Sequence, residues 1–397
     1  MNGLEKKSIN ELKVAIPIIG DEKWMGGITY IHYLVNGLSL LPKEQKPQVY
    51  LVFRDRQINA LQLHTYMFDL FDGLIYVGDS DVEIADDYIT CSTYDELAKI
   101  TDIYFPVLSD SLNNRVSISW IPDFQHKYLP HMFSEDEILN RDKQFEKIAQ
   151  SNNVVLFSSN DALKDYQKFY PCHNTLTKVM PFYLIPPEEW YEDQIEIFDL
   201  YGVHEEYFIC SNQLWKHKNH LTLFRAIKAL KDQGISVQVV LTGAKEDYRF
   251  PEYYQELIEF IENNDLSENI KVLGFIPRNH QIYLIRKSIA VVQPSLFEGW
   301  GTFLEDGRAL GKTIILSNTL IHQEQKTEFS LFFEAENEFE LAEKIKNVFE
   351  NRILHDSSVR EEKAKEKAHM NVREYAENFV EIIYCTYLYY QNKEEDK

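Results

Sequence analysis

Residues 294–318 read PSLFEGWGTFLEDGRALGKTIILSN, and their order of apolar runs and turns indicates the fold class. It begins where the apolar run IAVVQPS ends, turns at Gly299 and Gly301, and continues into residues 302–310, whose apolar side chains recur at a helical spacing. The β-branched run TIILSN follows directly. A strand, a helix and a second strand in this order, with both strands apolar, predict a parallel sheet that helices cover on both faces.

The same alternation extends from this stretch along the rest of the chain. The strand-like runs before residue 186 are LKVAIPIIG, QVYLVFR, GLIYVG, DIYFPV, SISWIP and NVVLFSS, and those after residue 205 include YFICS, VQVVLTG and IKVLGF. The segment PFYLIPPEEWYEDQIEIFDLYGV lies between the two sets, with three prolines and little helical period. The sequence therefore predicts two sets of strands on either side of a linker.

A chain of 397 residues exceeds the size at which a single core stops growing. We therefore predict the α/β class, with two doubly wound, Rossmann-like parallel-sheet domains that face each other across a cleft. The first domain is expected at residues 1–185, the linker at 186–205 and the second domain at 206–371. A helix at about residues 372–397 is expected to pack back onto the first domain.

Composition excludes several classes of protein. A formal net charge of −22 argues against a general nucleic-acid binder, because phosphate recognition needs clustered Lys and Arg. The four cysteines are far apart and form no CxxC pair, which is typical of reduced thiols in a cytoplasmic protein. No apolar run reaches the roughly 18 residues of a membrane span. The aromatic-rich last helix leaves open a peripheral contact with the inner face of the membrane.

Ligands of open α/β sheets bind at the carboxyl ends of strands, which directs attention to four strand-to-helix turns. At the first turn, Gly26 and Gly27 open a helix whose free N–H groups favour an anion, although an ordinary turn would have the same residues. The full GxGxxG spacing of a dinucleotide site is missing. At the second turn, Asp123 and His126 follow a strand and either position a hydroxyl group or cap the turn.

The third turn carries Lys216, His217 and Lys218 directly before a helix, with Asn219 at its N-cap. Positive charge at a helix N-terminus opposes the helix dipole, so this arrangement indicates an anionic ligand. His217 and His220 have no third metal ligand nearby, and we predict no metal site.

The fourth turn is the opening stretch, where two acids stand side by side at Glu305 and Asp306. A helix that starts near Thr302 would point Glu305 away from the apolar face, and Thr302 and Glu305 fit the S/T-x-x-E capping box. Asp306 has no comparable structural role. Gly307 weakens the helix by about 1 kcal/mol relative to Ala, which indicates either close approach of another group or helix-on-sheet packing.

Together these residues resemble the retaining, nucleotide-sugar-dependent glycosyltransferases of the family 4 type, which have the GT-B architecture. PSLFEGWGTFLEDGRALGK resembles their acidic signature, E-x7-E, which runs here from Glu298 to Asp306. WKHKNH resembles their R-K-N segment, KVLGFIP their base-binding loop, and WIPDFQHKYLP their first-domain H-D segment. The resemblance covers nearly the whole chain and is greatest to bacterial enzymes that build lipopolysaccharide, capsule or other surface glycans.

The resemblance implies a role for each matching residue. The implied donor-binding residues are Asp306 at the ribose, Lys218, Gly26 and Gly27 at the diphosphate, Gly301 and Thr302 at the sugar or β-phosphate, and Phe275 to Arg278 at the base. Glu298 is implied to face the donor sugar, and Asp123 to lie beside the anomeric centre and the acceptor.

The sequence differs from the family pattern at three places, and each affects the role that the resemblance implies. The second acid is Asp306 rather than Glu, one methylene shorter. Asn212 and Gln213 replace a Gly-Arg pair, so the diphosphate would depend on Lys218, with Lys216 or Arg278 as substitutes and Gln213 as a further donor-binding candidate. Pro122 replaces the His of H-D, which leaves open whether His126 takes over its role.

The sequence therefore predicts transfer of a hexose from a nucleoside-diphosphate sugar to a hydroxyl of a glycan or lipid-linked glycan, with retention of configuration. The implied setting is cell-surface polysaccharide biosynthesis, with no metal and no cofactor besides the donor. Two alternatives remain open at this point: a GT-B nucleotide-sugar epimerase, and a non-catalytic paralogue that binds a nucleotide sugar. A nicotinamide enzyme would need the missing GxGxxG.

Overall fold

The computed structural model describes residues 6–21, 25–79, 88–108, 116–151, 153–193 and 196–395. The chain divides into two compact units. Unit 1 comprises Met1–Asp123, Asp136–Ile185 and Met370–Lys397, and unit 2 comprises Phe124–Glu135 and Pro186–His369.

Strands and helices alternate along the described residues. The strands are β1 (Lys13–Pro17), β2 (Gln48–Phe53), β3 (Gly73–Val77), β4 (Tyr88–Cys91), β5 (Ile103–Val107), β6 (Ser117–Ile121), β7 (Val154–Phe157), β8 (Leu176–Val179), β9 (Tyr207–Ser211), β10 (Gln238–Thr242), β11 (Ile270–Gly274), β12 (Ala290–Gln293), β13 (Ile314–Ser317) and β14 (Ser330–Phe333). The α-helices are α1 (Met25–Ser39), α2 (Ile58–Leu61), α3 (Tyr94–Ile100), α4 (Gln125–Tyr128), α5 (Glu135–Gln150), α6 (Asn160–Phe169), α7 (Glu196–Tyr201), α8 (His220–Asp232), α9 (Tyr253–Asn263), α10 (Arg278–Lys287), α11 (Thr302–Ala309), α12 (Leu320–Gln325), α13 (Glu338–Glu350) and α14 (Glu361–Glu395). The 3₁₀ turns are Ile9–Glu11, Lys43–Gln45, Asp55–Gln57, Gln62–Leu70, Pro130–Met132, Glu188–Tyr191, Lys216–Lys218 and Arg352–His355.

Unit 1 is built, over its described residues, on an eight-stranded parallel sheet of order β4-β3-β2-β1-β5-β6-β7-β8. All five residues of β5 and of β6 are buried, as expected for strands that carry helices on both faces. The chain order reverses direction between β1 and β5. The predicted doubly wound arrangement is therefore confirmed for this unit.

The aromatic end of α14 packs on unit 1. Phe379 lies 5.3 Å from Phe105, measured between ring centroids, and Tyr390 donates a 2.7 Å hydrogen bond to Asn153 Oδ1. Phe379 is fully buried and Tyr387 is 7% exposed. These side chains complete the core of unit 1. Within the described part of the chain, no helix is long and apolar enough to cross a membrane.

Unit 2 is built on a six-stranded parallel sheet, of order β11-β10-β9-β12-β13-β14 in its described residues. β9 pairs with β10 on one side and β12 on the other, so the strand order reverses at the β9–β12 junction. Leu223, Ile227 and Leu230 on one face of α8 are fully buried in the core beside this sheet. Replacing one such side chain by Ala lowers the free energy of unfolding by about 2–5 kcal/mol. This core therefore holds the carboxyl ends of the strands in place.

Candidate functional site

The candidate site lies at the carboxyl ends of β9 and β12, the position where open α/β sheets bind ligands. The strand order reverses at this point, so the connections after β9 and β12 leave in opposite directions. Polar residues follow both strands: Ser211 and Asn212 at the end of β9, and Gln293 and Glu298 at the end of β12. Sequence reasoning selected Glu298 among these.

Lys218 and Glu298 form an ion pair at the carboxyl ends of β9 and β12. Lys218 Nζ donates to both carboxylate oxygens of Glu298 at 2.8 Å. The two side chains are only 16% and 7% exposed, so the pair is largely shielded from water. The sequence indicated that an external anion balances the lysines before α8, and in this structure the carboxylate of Glu298 balances Lys218.

Asn219 holds the lysine turn against two other loops. Its side-chain amide donates to the carbonyl oxygens of Pro294 (3.0 Å) and Ala335 (2.7 Å). Asn219 stands at the N-cap of α8, as predicted, but with a left-handed φ of 61° and no side-chain cap bond. Its side chain therefore joins the loops that follow three strands, which fixes the position of Lys218.

Gln293 is a site residue that sequence reasoning missed. Its Nε2 donates to Glu298 Oε1 at 2.7 Å, and its Oε1 accepts a 2.8 Å hydrogen bond from Asn212 Nδ2. Gln293 is 1% exposed, so it bridges the ends of β12 and β9 from within the protein. The signal in the sequence is a lone amide at the end of an otherwise apolar strand, which by itself also fits a core residue.

Helix α11 corrects the prediction for Glu305. Its N-cap is Gly301, no side chain caps it, and the predicted Thr302–Glu305 capping box does not form. Glu305 is 2% exposed and accepts a 3.0 Å hydrogen bond from Gln325 Nε2. Burial raises the pKa of the Glu305 carboxyl. The helical wheel was wrong because α12 covers the face of α11 that sequence alone assigns to solvent.

Gln325 also corrects the prediction for Gly301. The amide that was expected to face the donor sugar or β-phosphate instead donates to Gln325 Oε1 at 3.0 Å. A Cβ on Gly301 would lie 3.3 Å from the same oxygen, so the glycine leaves room for this contact. Thr302, the first residue of α11, remains the predicted amide donor at this helix start.

Asp306 pairs with Arg278. The guanidinium donates through Nη1 to Oδ2 at 2.9 Å and through Nη2 to Oδ1 at 2.5 Å. Asp306 is 2% exposed, and burial raises the pKa of its carboxyl while Arg278 lowers it. Gly307 beside it lies against the sheet, because a Cβ there would be 3.3 Å from Val291 Cγ2. Helix-on-sheet packing therefore explains this glycine.

Phe275 and Gln213 are placed at the same edge of unit 2. Phe275 follows β11 and is 78% exposed. Gln213 lies in the loop after β9, where Gly243 passes so closely that a Cβ on it would lie 2.8 Å from the backbone nitrogen of Gln213.

The remaining predicted residues lie in helices α1 and α4 and after strand β6. Gly26 and Gly27 are in the first turn of α1, as predicted, and a Cβ on Gly27 would lie 2.9 Å from the backbone nitrogen of Gly20. Asp123 forms a 2.6 Å ion pair with Arg141. His126 is 1% exposed and lies beside the rings of Phe124 and Phe133. Among the described residues no three His, Cys, Asp or Glu side chains group as a metal site would require.

Part of the chain, including the candidate site, is similar to known proteins. The family described as "Glycosyl transferases group 1" matches residues 197–368, which contain the Lys218–Glu298 and Arg278–Asp306 pairs. The O-antigen chain mannosyltransferase RfbU of Salmonella typhimurium is 24% identical over 144 residues. That alignment covers 36% of this chain and spans 38% of the relative's length.

Solved structures share the fold over most of the chain. Anabaena HepE, determined in complex with UDP-glucose, is 16% identical, covers 94% of this chain and 99% of its own, and superposes with a TM-score of 0.66. Sucrose-phosphate synthase of Thermosynechococcus elongatus is 14% identical, covers 97% and 99%, and has a TM-score of 0.62. A glycosyltransferase of Rickettsia africae is 15% identical, covers 96% and 99%, and has a TM-score of 0.66. The chain has the GT-B fold, as the sequence predicted.

Proposed function

We propose that this protein is a glycosyltransferase that moves a sugar from a nucleoside-diphosphate donor to a hydroxyl group of an acceptor. The observation that carries the proposal is the shielded Lys218–Glu298 pair at the β9–β12 junction. The group 1 match over residues 197–368, the mannosyltransferase relative and the nucleotide-sugar complex of HepE support it. In its finer form, the proposal is a retaining, metal-independent hexosyltransferase of the family 4 type.

Lys218 supplies positive charge for the leaving diphosphate in this proposal. A diphosphate that reaches its ammonium group takes the place that Glu298 now holds, in a site where water weakens the interaction little. The N-terminus of α11, with the amide of Thr302, adds the dipole of a helix. Lysine and amides then do what a metal ion does in other transferases, which is why we propose metal independence.

Glu298 orients the donor sugar once Lys218 has turned to the diphosphate. Gln293 keeps hold of one carboxylate oxygen, and the other oxygen is then available to accept a sugar hydroxyl. The bond between the anomeric carbon and the diphosphate oxygen breaks, and the acceptor oxygen bonds to the same face. The acceptor's proton passes to the leaving phosphate oxygen.

The acceptor side of the proposal rests on the sequence resemblance. Asp123 and His126 are the candidates for contacting the acceptor, which we propose to be a glycan or lipid-linked glycan of a cell-surface polysaccharide. Cys91, Cys172, Cys210 and Cys385 are free thiols, which supports action in the cytoplasm or at the inner face of the membrane.

A thermal-shift panel of UDP-, GDP-, dTDP- and ADP-sugars, with and without EDTA, tests the proposal. At least one donor should raise the melting temperature of the wild type, because a ligand that binds only the folded state stabilises it, and EDTA should not abolish the shift. Lys218→Gln should lose the shift. Lys228→Gln, on the exposed face of α8, is the matched control and should retain it. No shift with any donor would contradict the proposal, and full dependence on a divalent metal would contradict its metal-free form.

A further inference from the structure

A short segment of unit 2 comes from the middle of unit 1 in sequence. Residues 124–135 belong to unit 2, whereas the residues before and after them belong to unit 1. We call residues 124–135 the strap. The strap carries His126, a candidate for contacting the acceptor, so the contacts of the strap within unit 2 determine where this imidazole lies.

The strap is too short to fix its own conformation. Helix α4 has four residues and no side-chain cap, and Pro130 begins a 3₁₀ turn of three residues soon after it. Isolated helices shorter than about 12–15 residues are marginal in water, so contacts with other elements must stabilise the strap. Gln125 and Tyr128 stand three residues apart in α4 and therefore lie on one face of it.

Arg249, in the loop after β10, makes the first contact with the strap. Its Cζ lies 4.5 Å from the centroid of the Phe133 ring, 5.3 Å from that of Trp215 and 5.2 Å from that of Tyr248. Its Nη1 also donates a 3.4 Å hydrogen bond to Gln125 Oε1. A guanidinium is attracted to aromatic faces within about 6 Å, so Arg249 joins the strap to the loops after β9 and β10.

Asp247 connects Arg249 to the turn that carries Lys218. Asp247 is 4% exposed, and its Oδ1 accepts a 3.0 Å hydrogen bond from the backbone N–H of Arg249. Its Oδ2 accepts a 2.9 Å hydrogen bond from the backbone N–H of Lys216, the first residue of the 3₁₀ turn that ends at Lys218. The buried carboxylate therefore fixes the position of Arg249 relative to the lysine turn.

The second contact with the strap lies next to Glu298. Tyr128 stacks on Phe297, with ring centroids 5.7 Å apart and 29° between the ring planes. Phe297 directly precedes Glu298 in the chain. The backbone N–H of Leu296 donates a 2.8 Å hydrogen bond to the carbonyl oxygen of His217. The turn that carries Glu298 is therefore in contact with both the strap and the lysine turn.

We propose that Arg249 and Tyr128 are positioning residues, which hold His126 in place relative to Glu298 for the transfer step. The inference rests on the proposed function. His126 lies between the two contacts, because Gln125 and Tyr128 flank it in α4. A displacement of about 1 Å near the reacting atoms can lower a rate by about 100-fold, so two weak contacts that fix this imidazole affect turnover more than donor binding.

Steady-state kinetics of sugar transfer tests the inference, with a donor from the UDP-, GDP-, dTDP- and ADP-sugar panel. Tyr128→Leu and Arg249→Gln should each lower kcat by about 10-fold or more and leave the KM for the donor unchanged. Tyr128→Phe keeps the ring and should retain the wild-type kcat. Arg352→Gln is the matched control, because it removes a guanidinium that lies 5.1 Å from the ring of Phe349 elsewhere in unit 2, and it should also retain the wild-type kcat.

Two further measurements separate positioning from a general loss of structure. In a His126→Asn background, Tyr128→Leu should lower kcat no further, because Tyr128 acts through His126. Hydrogen exchange without any ligand should be faster in Tyr128→Leu than in the wild type over residues 124–135, and unchanged over the rest of unit 2.

Three results would overturn the inference and leave the proposed function intact. They are an unchanged kcat in both Tyr128→Leu and Arg249→Gln, a rise in the KM for the donor as large as the fall in kcat, and a further fall in kcat in the His126→Asn background. A wild type that transfers no sugar to any acceptor would overturn the inference together with the proposed function.

Discussion

At the residue scale, the Lys218–Glu298 ion pair of the candidate site also contributes to the stability of the fold. Lys218→Met leaves the shielded carboxylate of Glu298 without its cation and should lower the free energy of unfolding by about 3 kcal/mol. Adding Glu298→Gln removes the orphaned charge and should bring stability back to within about 1 kcal/mol of the wild type. Urea denaturation of the single and double variants measures both effects, and a double variant as unstable as Lys218→Met would contradict the assignment.

Lys312 gives a prediction that depends on pH. It is 2% exposed, its Nζ donates to the carbonyl oxygen of Arg286 at 2.9 Å, and burial lowers its pKa to about 7. Between pH 7 and 9 Lys312 keeps its proton in the unfolded chain but has released it in the folded chain, so the free energy of unfolding rises with pH in that window. Below about pH 7 Lys312 is charged in both states, and the cost of burying that charge lowers the free energy of unfolding by its full amount.

Lys312→Met removes this titration. The free energy of unfolding of the wild type minus that of the variant should therefore grow from pH 7 to pH 9, with a slope of at most about 1.4 kcal/mol per pH unit. Urea unfolding at four pH values across this range gives the difference. A difference that stays constant or shrinks would show that Lys312 keeps its proton in the folded state.

The sequence predicted the position of Glu298 but not the surroundings of Glu305 and Asp306. The family resemblance implied that Glu298 faces the donor sugar, and the structure puts Glu298 after β12, at the junction of β9 and β12. The surroundings of Glu305 and Asp306 could not be predicted, because their partners Gln325 and Arg278 are 20 and 28 positions away in sequence. A helical wheel contains no information about an element that covers the helix from outside.

At the scale of elements, the loop after β9 depends on a glycine in the loop after β10. Gly243 has a φ of +134°, and a Cβ there would lie 2.1 Å from the carbonyl oxygen of Asn212. Gly243→Ala should therefore lower the free energy of unfolding by about 3 kcal/mol or more and displace the turn that carries Lys218.

A second glycine provides the control for this prediction. Gly234 also has a positive φ, of +79°, but nothing lies within 4 Å of a Cβ built on it. Gly234→Ala should lower stability by about 1 kcal/mol from backbone strain alone. Chemical denaturation of the two variants, with nucleotide binding as a second measurement, compares them. Equal losses would mean that the steric contact with Asn212 is relieved at no cost.

Elements of regular structure could be predicted well where the physical signal is local. The apolar runs LKVAIPIIG and YFICS contain β1 and β9, because a strand buried on both faces needs apolar residues at successive positions. The start of α11 was placed at Thr302, and the structure confirms it. Its cap was not predicted correctly, because the contact that satisfies Gly301 comes from α12.

At the scale of the whole molecule, the proline-containing segment between the two sets of strand-like runs predicted two parallel-sheet units. Both sheets are present in the described residues. The strand orders follow from short, right-handed βαβ connections, which leave few ways to arrange apolar strands that alternate with helices. The candidate site is formed by side chains from β9, β12, α10 and α11 and from the loops that follow β9 and β12. Local patterns place each of these residues on its element but do not specify which side chains become partners.

The most direct test of the central claim is a transfer reaction. The wild-type protein is incubated in EDTA with the nucleotide sugars that stabilise it and with a panel of glycan and lipid-linked glycan acceptors, and products are identified by mass spectrometry and NMR. We expect a new glycosidic bond with the donor's anomeric configuration, one nucleoside diphosphate released per bond formed, and loss of both products in Lys218→Gln. Isomerisation of the donor without an acceptor, or tight donor binding with no transfer to any acceptor, would contradict it.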